Sequence, residues 1–204
     1  MPRTAYIDTD FFQALADIER HNDVPSLLNR FFIALDVVPY MHPFVYKHEI
    51  EHFINPKKRK IFEMGVIKIP QISEVLDNPL KEFLYKNTVE ELYRILNRDE
   101  IPLNDVMSEW KYMANLGEIH SMALGAIQSD MHNEIWFLSD DCNASRRIKF
   151  FASTLVQKLP RVLTRLDCVN HLRTNGQEIL TNECKLSGRE LKMLSYEKKH
   201  SEDI

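Results

Sequence analysis

The sequence predicts an α/β fold with a mostly parallel sheet. Three observations carry this expectation. Short apolar segments that read as strands are separated by amphipathic helical stripes. Two of those segments end in carboxylates. The composition, 44% hydrophobic and 27% charged over 204 residues, is enough to bury a core and excludes a wholly disordered chain.

The first strand is Thr4-Ala5-Tyr6-Ile7-Asp8. Phe11, Phe12, Leu15 and Ile18 then fall on one helical face. A second helix follows Pro25, with Leu27, Leu28, Phe31, Phe32 and Leu35 as its stripe. A third starts near Pro43 and runs through Phe53, where Asn55-Pro56 ends it. Between residues 56 and 110, Val66-Ile67-Lys68-Ile69 reads as a short strand. Leu80 to Leu96 reads as a helix with Leu80, Phe83, Leu84, Leu92 and Ile95 as its apolar positions. From Gly117, Ile119, Met122, Ala123, Ala126 and Ile127 form another amphipathic helix. Glu134 to Ser139 is a buried strand ending at Asp140-Asp141. Ile148, Phe151, Ala152, Leu155 and Val156 mark the next helix, Arg161 to Thr164 a short strand, and Asp167 to Leu172 a short helix. Ser187-Gly188-Arg189-Glu190 fits a capping box and predicts a last helix from about Gly188. Trp110 and Trp136 are expected in the core.

Several functional classes are set aside by composition. The five glycines form neither G-x-G-x-x-G nor G-x-x-x-x-G-K-[ST], which argues against those two kinds of nucleotide fold. No apolar run approaches the roughly 20 residues of a membrane span. The first residues lead straight into a strand without an apolar leader, so no secretory signal is expected. Three cysteines (Cys142, Cys168, Cys184) form no C-x-x-C pair. A disulfide framework and a cysteine zinc site are not expected, and a reducing cytoplasm fits best. Charge is uneven. Residues 1–141 hold 14 Lys/Arg against 23 Asp/Glu, a net of −9, and residues 142–204 hold 12 against 7, a net of +5. A basic end can hold a polyanion near an acidic centre, although a solvated helical surface has the same composition. The run Lys57-Lys58-Arg59-Lys60 is short for a nucleic-acid patch and reads as a surface turn.

Ligands of parallel sheets gather outside the carboxyl ends of the strands. Asp8 and Asp10 follow the first strand, and Asp140 and Asp141 follow the Phe137-Leu138-Ser139 strand. Glu118 opens the helix before that second strand, and Glu49 lies in the helix after Pro43. Singly, Asp8 and Asp141 also suit helix N-caps, and Glu118 suits a first-turn acid. Gathered together they repel, by about 4 kcal/mol for two charges 4 Å apart at an effective dielectric of 20. Protonation or a bound cation relieves that repulsion. Hard oxygen donors without cysteine suit Mg²⁺ or Mn²⁺, ions that activate water and stabilise a leaving oxygen at a phosphodiester.

These segments resemble a PIN domain, the metal-dependent ribonuclease fold of many toxins and RNA-processing enzymes. Tyr6-Ile7-Asp8-Thr9-Asp10-Phe11-Phe12 resembles the family's opening strand and first acid. Leu116-Gly117-Glu118 through Ala123-Leu124 resembles its G-E-x-x-x-x-A-L segment. Phe137-Leu138-Ser139-Asp140-Asp141 resembles its strand ending in [ST]-x-D, followed by basic Arg146, and Pro160 to Thr164 resembles its final strand. The likeness spans residues 3–55 and 112–175. It implies a three-layer α/β/α domain and a Mg²⁺- or Mn²⁺-dependent endoribonuclease. Asp8, Glu118 and Asp141 are the implied metal ligands, with Asp140 beside them. Glu49, which fits the family's E-[LI] pairing better than Glu51, completes the catalytic set. Arg146 and Arg147 would hold the phosphate backbone. The resemblance makes RNA the substrate. A toxin role would add an antitoxin partner, and homodimers are common in the family.

Residues 56–110 exceed what a minimal member needs, so a helical insertion is expected there. The domain is expected over residues 1–175, with 176–204 as a C-terminal helical extension. Two other readings compete. A PIN-like fold that has lost its acids becomes an RNA- or protein-binding module, and the acids kept here favour the enzyme. His48-Glu49-Ile50-Glu51-His52 also matches H-E-x-x-H, the pattern of a zinc hydrolase. That reading lacks a strong third ligand: Glu74 is the candidate, but Asn55-Pro56 intervenes.

Overall fold

The computed structural model describes residues 2–18, 21–52, 54–97, 116–129, 134–141, 160–175, 181–182 and 184–195. The helix expected around Ile148 to Val156, the residues Trp110, Cys142, Arg146 and Arg147, and Phe53 at the end of the third helix lie outside them.

Four parallel strands form one sheet in the order β2-β1-β3-β4. They are β1 (Arg3–Ile7), β2 (Val37–Tyr40), β3 (Trp136–Leu138) and β4 (Arg161–Leu163). The α/β class and the parallel sheet expected from sequence are present. Alternation along β1 sorts the core in two. Ala5 and Ile7 join Trp136 and Leu138 in one cluster, while Tyr6 joins Ile135 and Phe137 in another. Each cluster is completed by different helices. α1 (Thr9–Ala16), α2 (Val24–Ala34) and α8 (Arg165–Asn175) supply Phe11, Leu15, Phe31 and Val169 to the first. α6 (Pro79–Asn97) and α7 (Leu116–Gln128) supply Leu92, Tyr93, Ile119 and Met122 to the second. Helices therefore pack on both faces, which is compatible with a three-layer arrangement.

The sheet corrects the sequence reading at its edge. β2 is absent from the sequence reading, and its four residues include Pro39, which lacks an N–H for the ladder. It is tolerated on a short strand whose ladder runs from Arg3↔Val37 to Tyr6↔Tyr40. Asp36 takes φ 55, a left-handed turn residue between α2 and β2. Its carbonyl accepts the Arg3 N–H at 2.9 Å. The segment Val66 to Ile69 supplies only one bridge, Tyr40↔Lys68, rather than a full strand.

The third helix is shorter and differently wound than expected. α3 (Pro43–Val45) passes into a π-helical turn over Tyr46–Ile50. Lys57 to Lys60 lie in a helix, α4 (Pro56–Glu63), not in a turn: Asn55 caps it and Pro56 fits its first turn. A further short helix, α5 (Ile72–Val75), precedes α6. On α6 the buried stripe is Thr88, Val89, Leu92 and Tyr93, whereas Leu80 and Phe83 are exposed. α9 (Gly188–Leu194) has the expected capping box. Leu186, Leu191 and Leu194 bury in the first cluster, and Arg30 of α2 pairs with Glu190. This C-terminal helix thus belongs to the same core as the sheet. Trp136 is buried as expected. No helix among the described residues is long and apolar enough to cross a membrane.

Candidate active site

From β1 the chain crosses to β2 on one side, and β3 lies on the other. The carboxyl ends of β1 and β3 are therefore the switch point of the sheet, the place where open α/β folds bind ligands. Asp8 and Ser139 are the first residues past those two ends. The Asp8 amide continues the ladder to the Leu138 carbonyl at 2.9 Å, and the Ser139 amide continues to the Leu163 carbonyl at 3.1 Å.

The Asp8 side chain is held on both oxygens. Oδ1 accepts the Thr9 N–H at 2.8 Å, which makes Asp8 the N-cap of α1. Oδ2 accepts the Ser139 hydroxyl at 2.9 Å. Ser139 is fully buried, and its Oγ in turn accepts the Asp141 N–H at 3.2 Å. The proton of Ser139 is thereby aimed at Asp8. The Thr9 hydroxyl donates to Glu49 Oε2, so Thr9 links two carboxylates through its backbone and its side chain.

Electrostatics separate these acids from ordinary surface carboxylates. Burial pushes the Asp8 carboxyl above its usual range. The hydrogen bonds from Ser139 and Thr9 oppose that rise, and the charges of Asp10 and Asp141 add to it. Burial also raises Glu49, against the Thr9 bond, with Asp8 and Asp10 adding repulsion. No Lys or Arg among the described residues pairs with either acid.

Glu49 is aimed by close packing. A Cβ at Gly117 would lie 2.8 Å from Val45 Cγ2 and closer still to Glu49 Oε1. Only glycine lets the first turn of α7 approach the π-helical turn this closely. Glu118 follows, buried in that first turn where the helix dipole favours an acid. Asp140 sits differently. Its Oδ1 accepts the Arg165 N–H at 2.9 Å, and its Oδ2 pairs with the Arg165 guanidinium, itself buried. Asp140 thus joins β3 to the start of α8.

Of the five acids expected from sequence, the structure joins Asp8 to Glu49 through Thr9, sets Asp141 in the field of Asp8, places Glu118 beside the Gly117–Glu49 contact, and commits Asp140 to Arg165. Glu51 is exposed. Asp10, Thr9, Ser139, Gly117 and Arg165 complete the arrangement. For Thr9 and Ser139 the available signal is a hydroxyl residue directly beside a strand-end acid.

Among the described residues no three His, Cys, Asp or Glu side chains converge into a complete metal cage. The donor set still fits a hard divalent cation. Two half-buried carboxylates repel one another with no cation paired to them among the described residues, and Mg²⁺ characteristically takes one or two carboxylates and keeps several waters. The H-E-x-x-H segment is arranged otherwise. The His48 ring packs on Phe44 with centroids 4.5 Å apart, Glu49 turns to Thr9, and His52 is exposed beyond the π-helical turn.

A second buried polar cluster adjoins this site. The Tyr85 hydroxyl lies 3.2 Å from His42 Nε2 and 2.7 Å from His120 Nδ1. His120 stacks on His42 and on Phe44 at 5.4 and 4.6 Å. Burial lowers His42 to about 3, with His120 adding to the effect, and lowers His120 to about 4, with His48 adding to it.

Comparison of the chain with family models, with curated proteins and with solved structures returned no match.

Proposed function

We propose that the chain is a PIN-like, metal-dependent endoribonuclease. The observation that carries this reading is the pair Asp8 and Glu49: two half-buried carboxylates, held by Thr9 and Ser139 at the sheet's switch point, with no protein cation among the described residues to balance them. Structural carboxylates are usually neutralised where they are buried, as Arg165 neutralises Asp140. An uncompensated pair at a switch point is the signature of a site awaiting a charged ligand.

Asp8 and Glu49 would hold Mg²⁺ or Mn²⁺, with Glu118 and Asp141 as further ligands directly or through water. Such an ion, when bound, activates water and offsets charge developing at a phosphodiester. Ser139 and Thr9 lock both Asp8 oxygens, so this carboxylate keeps one orientation as charge builds. Glu49 orients water beside the substrate. Asp140 with Arg165 fixes the β3 end that carries Asp141. The basic pair Arg146 and Arg147 would contact the RNA backbone.

The test is cleavage of a labelled single-stranded RNA in Mn²⁺, Mg²⁺ or EDTA by the wild-type chain and by Asp8→Asn. Cleavage that needs Mn²⁺ or Mg²⁺ and is lost in Asp8→Asn is the expected result. If no RNA is cut under either metal and a metal titration shows no difference between the two proteins, the enzyme reading fails and a binding module takes its place.

A further inference from the structure

The ring cluster beside the acid site has a defined hydrogen-bond direction. It starts from a backbone amide, which can only donate. The Phe44 N–H donates to His42 Nδ1 at 3.0 Å. That nitrogen is therefore the acceptor, and in the neutral ring His42 carries its proton on Nε2. His42 Nε2–H donates to the Tyr85 oxygen at 3.2 Å. The Tyr85 hydroxyl has no other acceptor among the described residues, so its proton goes to His120 Nδ1 at 2.7 Å. Each step follows from the one before, and the chain ends with the proton of neutral His120 on Nε2.

The place of the His120 ring follows from the helix that carries it. Gly117 and His120 are three residues apart on α7 and share a face. The segment of Phe44 to Glu49 runs along this face. Val45 and Glu49 lie against Gly117, while the Phe44 ring lies against His120. His120 is thus just under one helical turn, roughly 4.5 Å, along α7 from the place where Glu49 meets the helix. The Nε2 of His120 has no hydrogen-bond partner among the described residues, although its Nδ1 is engaged and its ring is stacked on two sides. On sequence alone His120, in the Glu118 helix, reads either as touching substrate or, the preferred reading, as filling a polar edge; its link to His42 and Tyr85 is not visible there, because the three come from distant segments.

We propose that His120 Nε2–H is a positioned donor to a phosphate oxygen of a bound single strand, at the phosphodiester next to the one held by the acids. This rests on the nuclease reading above. The ligand class follows from the chemistry: a neutral N–H beside an acid cluster donates to an anionic oxygen without adding a charge that would compete for the carboxylates. His42 and Tyr85 are positioning residues. They fix the tautomer and hold the ring, and they do not touch the substrate.

Ring ¹⁵N spectra of the Asp8→Asn protein test this directly, with a short single-stranded RNA, and a DNA of the same sequence, as probes. The expected result is His120 in the Nε2–H form, with that signal moved by both strands while the His171 ring on α8 stays in place. Tyr85→Phe, checked for folding by its melting curve, is expected to raise KM for RNA cleavage about three- to tenfold with kcat within about twofold, the scale of one hydrogen bond. An Nδ1–H ring, an unmoved His120 in the presence of either strand, or a shift with RNA alone overturns the assignment to phosphate. Metal-dependent cleavage by the wild type with an unmoved His120 sinks this inference and leaves the nuclease reading intact. A moved His120 without cleavage under any metal does the reverse.

Discussion

The acid pair and the ring cluster adjoin each other across one helix, and burial treats them in opposite ways. Both are driven toward neutrality. For Asp8 and Glu49 that means holding protons more tightly, and for His42 and His120 it means losing them. The rings reach neutrality with three of their four nitrogens engaged by a backbone amide and a tyrosine, which leaves His120 Nε2 open among the described residues. The acids have hydroxyl and amide donors but also acidic neighbours, so their repulsion persists. The difference teaches where a ligand is needed. A buried polar group that is already satisfied is architecture, and one whose charge is left unbalanced is a binding site in waiting.

The largest test of that contrast is Asp8→Asn. It keeps the shape and one acceptor oxygen while removing the charge, and its amide NH2 requires the Ser139 hydroxyl to turn from donor to acceptor. RNA cleavage is expected to fall about a hundredfold or more, the scale of losing one group that stabilises a transition state. Retained cleavage in a gel assay would falsify the placement of the site. Arg165→Leu sharpens the comparison from the other side, by making Asp140 as uncompensated as Asp8. Loss of the buried partner should cost about 3 kcal/mol in urea unfolding, the lower end of the range because Asp140 keeps 21% side-chain exposure. Adding Asp140→Asn should recover part of that loss.

Gly117→Ala presses on the contact between the two regions. The new methyl would meet Val45 and Glu49, for a cost of about 1–3 kcal/mol by thermal melting. Cleavage should fall as well, because Glu49 must shift. A melting point unchanged from wild type would show that α7 can move away at no cost.

The smallest effect is on pH dependence, and here the regions have opposite signs. In the folded chain His42 and His120 protonate only near 3 and 4, against 6.5 when unfolded. Unfolding therefore takes up protons between those values and 6.5, and stability from this cluster is lost as pH falls through that window. Asp8 and Glu49 have raised values, so unfolding releases protons above the usual carboxylate range. Their contribution is present in acid and is lost as pH rises. In chelator, Asp8→Asn should raise the melting point by a few degrees on the alkaline side and leave the acid side unchanged. Added Mn²⁺ should remove the advantage, since only the wild type gains a ligand. Melting curves at several pH values, with and without the metal, read both signs.

The fold was more legible than the site. β1, α1, α2, α6, α7, β3 and α8 follow from local patterns, because an amphipathic stripe or a buried strand end is written in neighbouring residues. β2 is not among them, and the tolerance of its Pro39 depends on the sheet around it. Leu80 and Phe83 looked like core by spacing and are exposed, since the buried stripe of α6 begins near Thr88. The strand-end acids stand out in the sequence, and of the two helix acids Glu49 faces Thr9 while Glu51 is exposed. What spacing could not say is how each acid is used. Asp140 and Asp141 are adjacent, yet Asp140 is committed to Arg165, some 25 residues further on. The ring cluster was invisible for the same reason, as its partners meet only after α6 packs on α7.

The π-helical turn at Tyr46–Ile50 has a consequence for how this chain can vary. A π turn holds about one residue more than an α turn, and in an α-helix each residue is worth about 100° of rotation. The aim of Glu49 at Thr9 is therefore set by a count of residues between Pro43 and Glu49. Exposed Lys47 can be exchanged freely without disturbing that count. Shortening the segment by one residue would swing Glu49 away while keeping every other side chain available. For this part of the molecule, length carries the information that identity carries elsewhere.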